Sequence, residues 1–347
     1  MNVWKYFFPF LLLGCCSVTW GDTIRMIPAT GEDNDEVSLS GTIREISTDE
    51  ISMNDDDGNF KTIQTNTILW IQFDDEPIDL PAIRTMIQIS QYEEAQAKLN
   101  AISDADLKKA QPFVVQDVEF LRAYTTTQLA LSGTGALDSA GRQLVAFIKN
   151  YPESYHFYEA NQLIGAVLQS MGKYTDAAVY YNKLTAAPWA NTTLTAMVAL
   201  GNIRIEEKKW DDAKAEFNQV LNFNDESSPL IETQKQFAKI GLGRVATLEN
   251  DYDRAEQLFQ EVIRSTNAEN TDILAQLYNA MGENYMAAGK NKEAIIAFLH
   301  VDLLYSKSRP EHVKALRQLY ALWKQTQRED RAAIVKRTLK ERYGIEL

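Results

Sequence analysis

Cysteine is almost absent from this chain of 347 residues. Only Cys15 and Cys16 occur, and both lie within the first 21 residues. If that segment is removed, the remaining chain has no disulfide, no thiol nucleophile and no thiolate metal site. Such a protein must depend on a packed hydrophobic core, which a chain of this length with 45% apolar residues can supply.

Histidine is also scarce, and the usual catalytic motifs are missing. The three histidines are His156, His300 and His312, and none has a second ligand at metal-binding spacing. We interpret His156, which has an aromatic setting, as a packing or capping residue. There is no glycine-rich phosphate loop, no GxSxG and no HExxH. We therefore predict no catalytic residue, no metal and no bound cofactor, and expect a protein that is not an enzyme.

Residues 1–21 have the composition of an export signal. Lys5 is their only charge, and the apolar run over 6–13 is far shorter than the ~20 residues of a membrane-spanning helix. Two processing routes stay open. Residues 19–21 suit cleavage before Asp22, whereas Leu12-Leu13-Gly14-Cys15 resembles a bacterial lipobox, in which Cys15 would be lipidated. Either route predicts an exported protein of the periplasm or cell envelope, associated with a membrane only through a lipid at Cys15.

Acidic residues are concentrated near the N-terminus. Residues 22–80 contain 15 Asp and Glu against 3 Lys and Arg, a net charge of −12 out of −13 for the whole chain. Within this stretch, the polar residues 22–36 are predicted to form a flexible linker. The negative charge disfavours nucleic acid and anionic lipid as partners and points to a basic partner.

From residue 37 to 76 the apolar residues alternate with polar ones. This period predicts four or five short strands and a small antiparallel β module, similar in pattern to Sm-like or SH3-like barrels. Asp57-Gly58 predicts a two-residue hairpin turn. The acidic run 54–58 also suggests a calcium loop, but Met53 and Gln64 stand where an EF-hand has ligands, so a solvated hairpin tip is favoured.

The rest of the chain repeats a helical hairpin. Four copies occupy residues 161–184, 200–221, 242–263 and 281–302. Each has a glycine, an alanine 12 residues later and an aromatic residue 4 beyond that. The glycines are Gly165, Gly201, Gly243 and Gly282; the alanines are Ala177, Ala213, Ala255 and Ala294; the aromatic residues are Tyr181, Phe217, Phe259 and Phe298.

This pattern resembles the tetratricopeptide repeat (TPR) family. Tyr174, Trp210 and Tyr252 also match the family's aromatic residue near the turn, and Asn291 departs from it. The alanines are 36, 42 and 39 residues apart, against a usual period of about 34. We assign the surplus to the loops at 223–229 and 265–272. The resemblance implies a mainly α fold: an α-α superhelical TPR-like solenoid of six or seven helix pairs over residues 80–347, preceded by the β module.

The resemblance also implies that the first helix of each pair lines a concave binding groove. The exposed groove positions expected to bind a protein or peptide are Gln162, Asn202, Arg244, Asn279 and Glu283. Two interpretations of Arg244 stay open. It forms a surface pair with Glu206 or Glu283, or it grips an acidic or carbonyl group of a bound segment. A chaperone-type carboxylate clamp is rejected, because Val198 stands where the clamp has lysine.

The leading hypothesis is therefore a non-catalytic interaction scaffold exported to the bacterial cell envelope. It would bind a protein or peptide segment in the groove of the array. An alternative is an accessory subunit or enzyme whose acidic β module binds a ligand or divalent ion. A third is self-association through that module.

Overall fold

The computed structural model describes residues 21–27, 37–224 and 228–347. Within them, a five-stranded sheet precedes fifteen α-helices. The strands are β1 (Asp22–Met26), β2 (Val37–Ile46), β3 (Glu50–Asp55), β4 (Phe60–Gln64) and β5 (Ile68–Gln72). The helices are α1 (Leu80–Gln88), α2 (Tyr92–Ala101), α3 (Asp104–Leu107), α4 (Pro112–Leu131), α5 (Leu137–Asn150), α6 (Phe157–Ser170), α7 (Tyr174–Lys183), α8 (Ala190–Glu206), α9 (Trp210–Leu221), α10 (Pro229–Leu248), α11 (Tyr252–Ser265), α12 (Thr271–Ala287), α13 (Asn291–Leu304), α14 (Arg309–Gln325) and α15 (Glu329–Tyr343).

The sheet is antiparallel throughout, in the order β4-β3-β2-β1-β5. The chain runs through β1 to β4 in sequence, and β5 returns beside β1. The predicted hairpin does lie between β3 and β4, but its loop has three residues, 56–58, and not two. The Asp55 amide donates to the Asn59 carbonyl at 2.9 Å, and the Gly58 amide donates to the Asp55 carbonyl at 2.8 Å. Gly58 has a φ of +82°, a conformation that glycine adopts without strain. The antiparallel β module expected from the sequence is confirmed, but as a sheet whose edge strands β4 and β5 are not paired within the described residues, so the likeness to a closed barrel is not.

The prediction of a linker over residues 22–36 is wrong at its start, because Asp22–Met26 is strand β1. Ile24 is fully buried in the core. The Asp22 carboxylate is also buried and accepts hydrogen bonds from the amides of Ile43 at 2.9 Å and Asp74 at 3.1 Å. This acidic residue therefore joins β2 to the segment that follows β5. Residues 28–36 lie outside the described residues.

The helices form seven antiparallel pairs, within the predicted six or seven, with the short α3 between the first two pairs. The predicted glycines and aromatic residues meet inside four of these pairs. A Cβ built on Gly165, Gly201, Gly243 or Gly282 would lie 2.3–2.7 Å from the nearest atom of the aromatic ring 16 residues later. Only glycine leaves room for the ring there. The four alanines of the pattern are fully buried beside it.

The turns inside the pairs share one backbone conformation. In six of the seven pairs, one turn residue lies in the left-handed region with a φ between +59° and +73°. These residues are Ser90, Gly172, Lys208, Asn250, Gly289 and Gln327. Only two of them are glycine, so the remaining four pairs accept some backbone strain at this position.

The extra length of the repeats lies partly in helices and not only in loops. Helix α10 has 20 residues, and α8 and α12 have 17 each, against 14 in α6. The assignment of the surplus to loops alone was therefore incomplete. The longer first helices extend the inner side of the array.

The first and last pairs of the array are in contact. Two hydrogen bonds of 2.6 Å join the Arg309 guanidinium in α14 to both carboxylate oxygens of Glu93 in α2. Beside them, the Ser90 hydroxyl donates to the Lys307 carbonyl at 3.0 Å. The Arg309 guanidinium lies 5.6 Å from the Tyr92 ring centre. We call this contact, made by Ser90, Tyr92, Glu93, Lys307 and Arg309, the seam. The first and last helix pairs of the described array are therefore joined directly.

Residues 1–20, with Cys15 and Cys16, lie outside the described residues, so the export signal and the lipid at Cys15 stay predictions. Among the helices of the described part, none is both long and apolar enough to cross a membrane.

Candidate functional site

The central part of the concave face carries paired charges. The Arg244 guanidinium on α10 donates to the Asn202 side-chain oxygen at 2.9 Å and to the Glu206 carboxylate at 3.3 Å. Further along, the Glu283 carboxylate lies 2.7 Å from the Lys314 ammonium. The surface pair expected for Arg244 is thus present, with Glu206 as its partner. A binding role for Asn202, Arg244 and Glu283 stays a prediction.

Asn279 was predicted to be exposed on this face, and that prediction is wrong. Its side chain is fully buried, because α14 of the next pair packs over it. The amide nitrogen donates to the carbonyl of Glu311 at 3.0 Å and to its carboxylate at 2.7 Å. Asn279 therefore joins two helix pairs. The cavity that remains here, beside Arg244 and Lys314, has a volume of only about 80 Å³.

Gln162, the fifth predicted residue, is exposed at a larger opening. A cavity of about 350 Å³ lies between the end of the sheet and helices α6 and α8. Two contacts fix the sheet against these helices. The Asn66 amide donates to the Asn191 side-chain oxygen at 2.8 Å, and the Tyr158 hydroxyl donates to the Asp49 carboxylate at 3.1 Å. Burial and the bond to Asp49 raise the pKa of Tyr158 to about 12.

A second cavity of about 430 Å³ adjoins the first. Its lining comes from β5, from α1, α2, α4 and α6, and from the N-terminal ends of α12 and α14. The two cavities share Leu69, Tyr155, His156 and Glu159, and we call them together the junction cleft. The β module thus forms one wall of this cleft, and the seam brings the last pairs to the opposite wall.

A buried cluster of charged side chains forms the floor of the junction cleft. Asp117 on α4 is 2% exposed. Its carboxylate accepts hydrogen bonds of 2.7 Å from Arg84 and from the Tyr155 hydroxyl, and His156 Nε2 lies 3.0 Å from it. The other side of the Arg84 guanidinium donates to Glu76 at 2.8 Å. The cluster therefore ties the segment after β5 and helix α1 to α4 and α6.

The ionisation of this cluster follows from its partners. Burial alone would raise the pKa of Asp117, but Arg84 and His156 outweigh it and hold that pKa well below its usual range. Burial also acts to lower the pKa of His156, but its contacts with Asp117 and Glu159 outweigh burial and raise it. Asp117 is a charged carboxylate surrounded by donors, which suits a structural anchor and not a general base.

His156 was expected to be a packing or capping residue, and its position agrees. It immediately precedes α6, and its ring stacks on Phe120 with 3.7 Å between ring centres.

The acidic hairpin tip also has a structural role. The Asp55 carboxylate accepts from the amides of Asp57 at 3.1 Å and Asn59 at 2.7 Å. Across the described residues, no three His, Cys, Asp or Glu side chains are grouped as a metal site requires.

Sequence reasoning identified Gln162 at the cleft but not the cleft itself. Its walls come from segments as distant as Trp70 and Pro310. Two features of the sequence lie near the cleft: the aromatic residues around His156, and the end of the β pattern shortly before α1. Neither indicates which distant elements meet.

No protein-family model and no curated protein sequence matches this chain. Solved structures of helical-repeat proteins do resemble it. A tetratricopeptide repeat protein from Parabacteroides merdae ATCC 43184 is 15% identical, covering 75% of this chain and 90% of that chain, with a TM-score of 0.46. The Rap protein complexed with Competence and Sporulation Factor is 15% identical, covering 77% of this chain and 72% of that chain, with a TM-score of 0.50. Together with the seven helix pairs, the likeness to the Rap structure confirms a TPR-like helical-repeat fold.

Proposed function

We propose that this chain is a non-catalytic scaffold of the bacterial cell envelope that binds another protein, or a segment of one, in the junction cleft. The observation that carries the proposal is the cleft itself, which the β module and the TPR-like array build together. The Rap protein, of similar fold, is complexed with Competence and Sporulation Factor, so a bound factor is compatible with this architecture.

The cleft is a better binding surface than the central concave face. On the central face, Arg244 and Glu283 each have an oppositely charged partner, and the cavity beside them has a volume of about 80 Å³. The two cavities of the cleft have volumes of about 430 and 350 Å³. Binding pockets are concave and are common where domains meet. Gln162 is the one predicted groove residue that lines this cleft.

The binding role can be tested by site-specific photo-crosslinking in the organism that makes the protein. A photoreactive phenylalanine analogue at position 162 should give a discrete covalent adduct with a partner. The same analogue at position 211, an exposed residue at the start of the outer helix α9, should give none. Equal adducts at both positions, or none at position 162, would contradict binding in the cleft.

The cell-envelope location is supported by the composition of residues 1–21 alone. Mass spectrometry of the mature N-terminus, combined with cell fractionation, tests it. A chain that begins at Asp22, or at a lipid-modified Cys15, in the envelope fraction is the expected result. An unprocessed chain in the cytosolic fraction would contradict export.

A further inference from the structure

We propose that the junction cleft receives a lysine or arginine side chain of the bound segment, and that the carboxylates of Glu159 and Asp272 hold its charge. The inference rests on the proposed function and names the chemistry of the partner. Glu159 belongs to α6 and Asp272 to α12, so the two carboxylates come from different walls of the cleft.

The two arginines of the cleft are already occupied. Arg84 lies between Glu76 and Asp117, with distances of 2.8 and 2.7 Å, and Arg309 binds both oxygens of Glu93. Their side chains are only 6% exposed. An anionic ligand would have to displace these carboxylates from buried partners. The free energy lost by breaking the buried ion pairs would exceed the free energy gained from the new contacts. Neither arginine is therefore available to a phosphate or a carboxylate.

Glu159 and Asp272, in contrast, are exposed and are not enclosed by buried partners. The side chain of Glu159 is 50% exposed, and its nearest charged neighbour, His156 Nδ1, is 3.6 Å away, beyond a good hydrogen bond. Asp272 is exposed in the first turn of α12 and makes no ion pair with any other described residue. Both carboxylates are therefore accessible to hydrogen-bond donors of a ligand.

The balance of charge around the larger cavity favours a cation. Counting the lining and the carboxylates directly bound to it, five carboxylates face three cations. The carboxylates are Glu76, Glu93, Asp117, Glu159 and Asp272; the cations are Arg84, Lys307 and Arg309. Lys307 is exposed and opposes a basic ligand, but the sum stays negative even when His156 is protonated. The whole chain carries −13, which attracts basic segments at a distance.

The walls between the two carboxylates suit the rest of such a side chain. Tyr124 and Tyr155 line the same cavity and are partly exposed. Aromatic faces accept both the methylene stem and the charge of lysine or arginine. Burial raises the pKa of Tyr124 well above its ordinary value, and Tyr92, Glu159 and Asp272 add to the rise. The negative charges of both carboxylates therefore disfavour ionisation of the Tyr124 hydroxyl.

The test uses the full chain and four labelled octapeptide probes, alternating alanine with lysine, arginine, glutamate or glutamine. Fluorescence anisotropy at low salt should show binding of the lysine and arginine peptides only. The double variant Glu159→Gln/Asp272→Asn should weaken that binding by about tenfold or more, since it removes both charges that the ligand contacts. Its unfolding midpoint should change little, because the Glu159 side chain is 50% exposed and Asp272 is exposed as well.

A matched control separates the cleft from general electrostatic attraction. The double variant Asp211→Asn/Asp253→Asn also removes two acidic charges, both from first turns of exposed outer helices. It should leave the affinity within about twofold of wild type. Equal weakening by the two double variants, binding of the glutamate peptide, or no binding of either basic peptide would overturn the inference. Crosslinks at position 162 would still support the proposed function in each of these cases.

Discussion

Each of the four patterned glycines faces an aromatic ring, and Gly243 does so most closely. A Cβ on Gly243 would lie 2.3 Å from the Phe259 ring. We expect Gly243→Ala to lower the free energy of unfolding by about 1–3 kcal/mol, because the ring or the helix must move aside. Chemical denaturation of the purified protein measures this change.

Gly141 in α5 is the matched control for that substitution. It is also a helical glycine, but a Cβ there would lie 3.5 Å from Val167, an ordinary contact. Gly141→Ala should therefore raise the free energy of unfolding by about 0.5–1 kcal/mol through helix propensity alone. A loss of stability in both variants would show that ring contact is not the cause.

The turn residues offer a second pair of substitutions with opposite signs. Lys208 has a φ of +60°, whereas Gly172 has a φ of +72° at the corresponding turn. Lys208→Gly should raise the free energy of unfolding by about 0.5–1 kcal/mol, since it relieves backbone strain. Gly172→Ala should lower it by about 1 kcal/mol, although nothing lies within 4 Å of its Cβ. Thermal and denaturant unfolding midpoints show whether each substitution raises or lowers the free energy of unfolding.

His156 predicts a pH dependence of stability. Its contacts with Asp117 and Glu159 outweigh burial and raise its pKa above the ordinary value of about 6.5. The stability that its protonation adds is therefore fully present below pH ~6.5 and is lost as the pH rises through the higher folded-state value. Unfolding free energies between pH ~5.5 and ~8.5 should fall for wild type and stay flatter for His156→Gln. Identical slopes would exclude His156 as the source.

At the scale of a helix pair, the array should respond locally to damage. Ala255 is fully buried where α10 and α11 cross. Ala255→Phe should cost about 1–3 kcal/mol by overpacking. Hydrogen exchange should increase in α10, α11 and their neighbours, with the β module unaffected, because repeat units are stabilised mainly by adjacent units. A uniform loss of protection across both regions would contradict this picture.

The helix pairs could be predicted from sequence because their packing repeats. Gly243, Ala255 and Phe259 recur at fixed spacing, since every pair needs the same close crossing. Strand β1 gave no such signal. It has five residues, and its buried Asp22 resembles the acidic residues that follow it. Only its pairing with β2 and β5 shows that it belongs to the sheet.

The candidate site was less predictable, for two physical reasons. The seam joins Glu93 to Arg309, which are 216 residues apart and belong to no shared periodic pattern. The pattern of α12 alone predicts that Asn279 lies on an exposed face. In the structure, α14 of the next pair packs on that face and buries Asn279. Periodicity identifies which side of a helix is polar, and it does not show what packs against that side.

At the scale of the whole molecule, the seam should contribute to stability. The Arg309 side chain is 6% exposed, and Glu93 satisfies two of its donors. Glu93→Gln should lower the free energy of unfolding by about 1–2 kcal/mol, because a nearly buried guanidinium loses its charged acceptor. Hydrogen exchange should increase at the turn between α1 and α2 and at the start of α14.

Glu283→Gln is the control for the seam substitution. Its pair with Lys314 is more exposed, with side-chain exposures of 32% and 39%. Removing it should change the free energy of unfolding by about 0–1 kcal/mol, as for other surface pairs. If the two variants were equally stable, the seam would be no more than a surface ion pair.

The contact between the first and last pairs also restricts how this array can evolve. An open solenoid can gain or lose a repeat at either end, because each unit meets only its neighbours. Here Arg309 in α14 must reach Glu93 in α2. Duplication or deletion of one helix pair would shift these residues apart by a full unit and leave Arg309 without its partner. The number of pairs between α2 and α14 in the described residues is therefore fixed by this contact, and related chains are expected to vary in loop length before they vary in the number of these repeats.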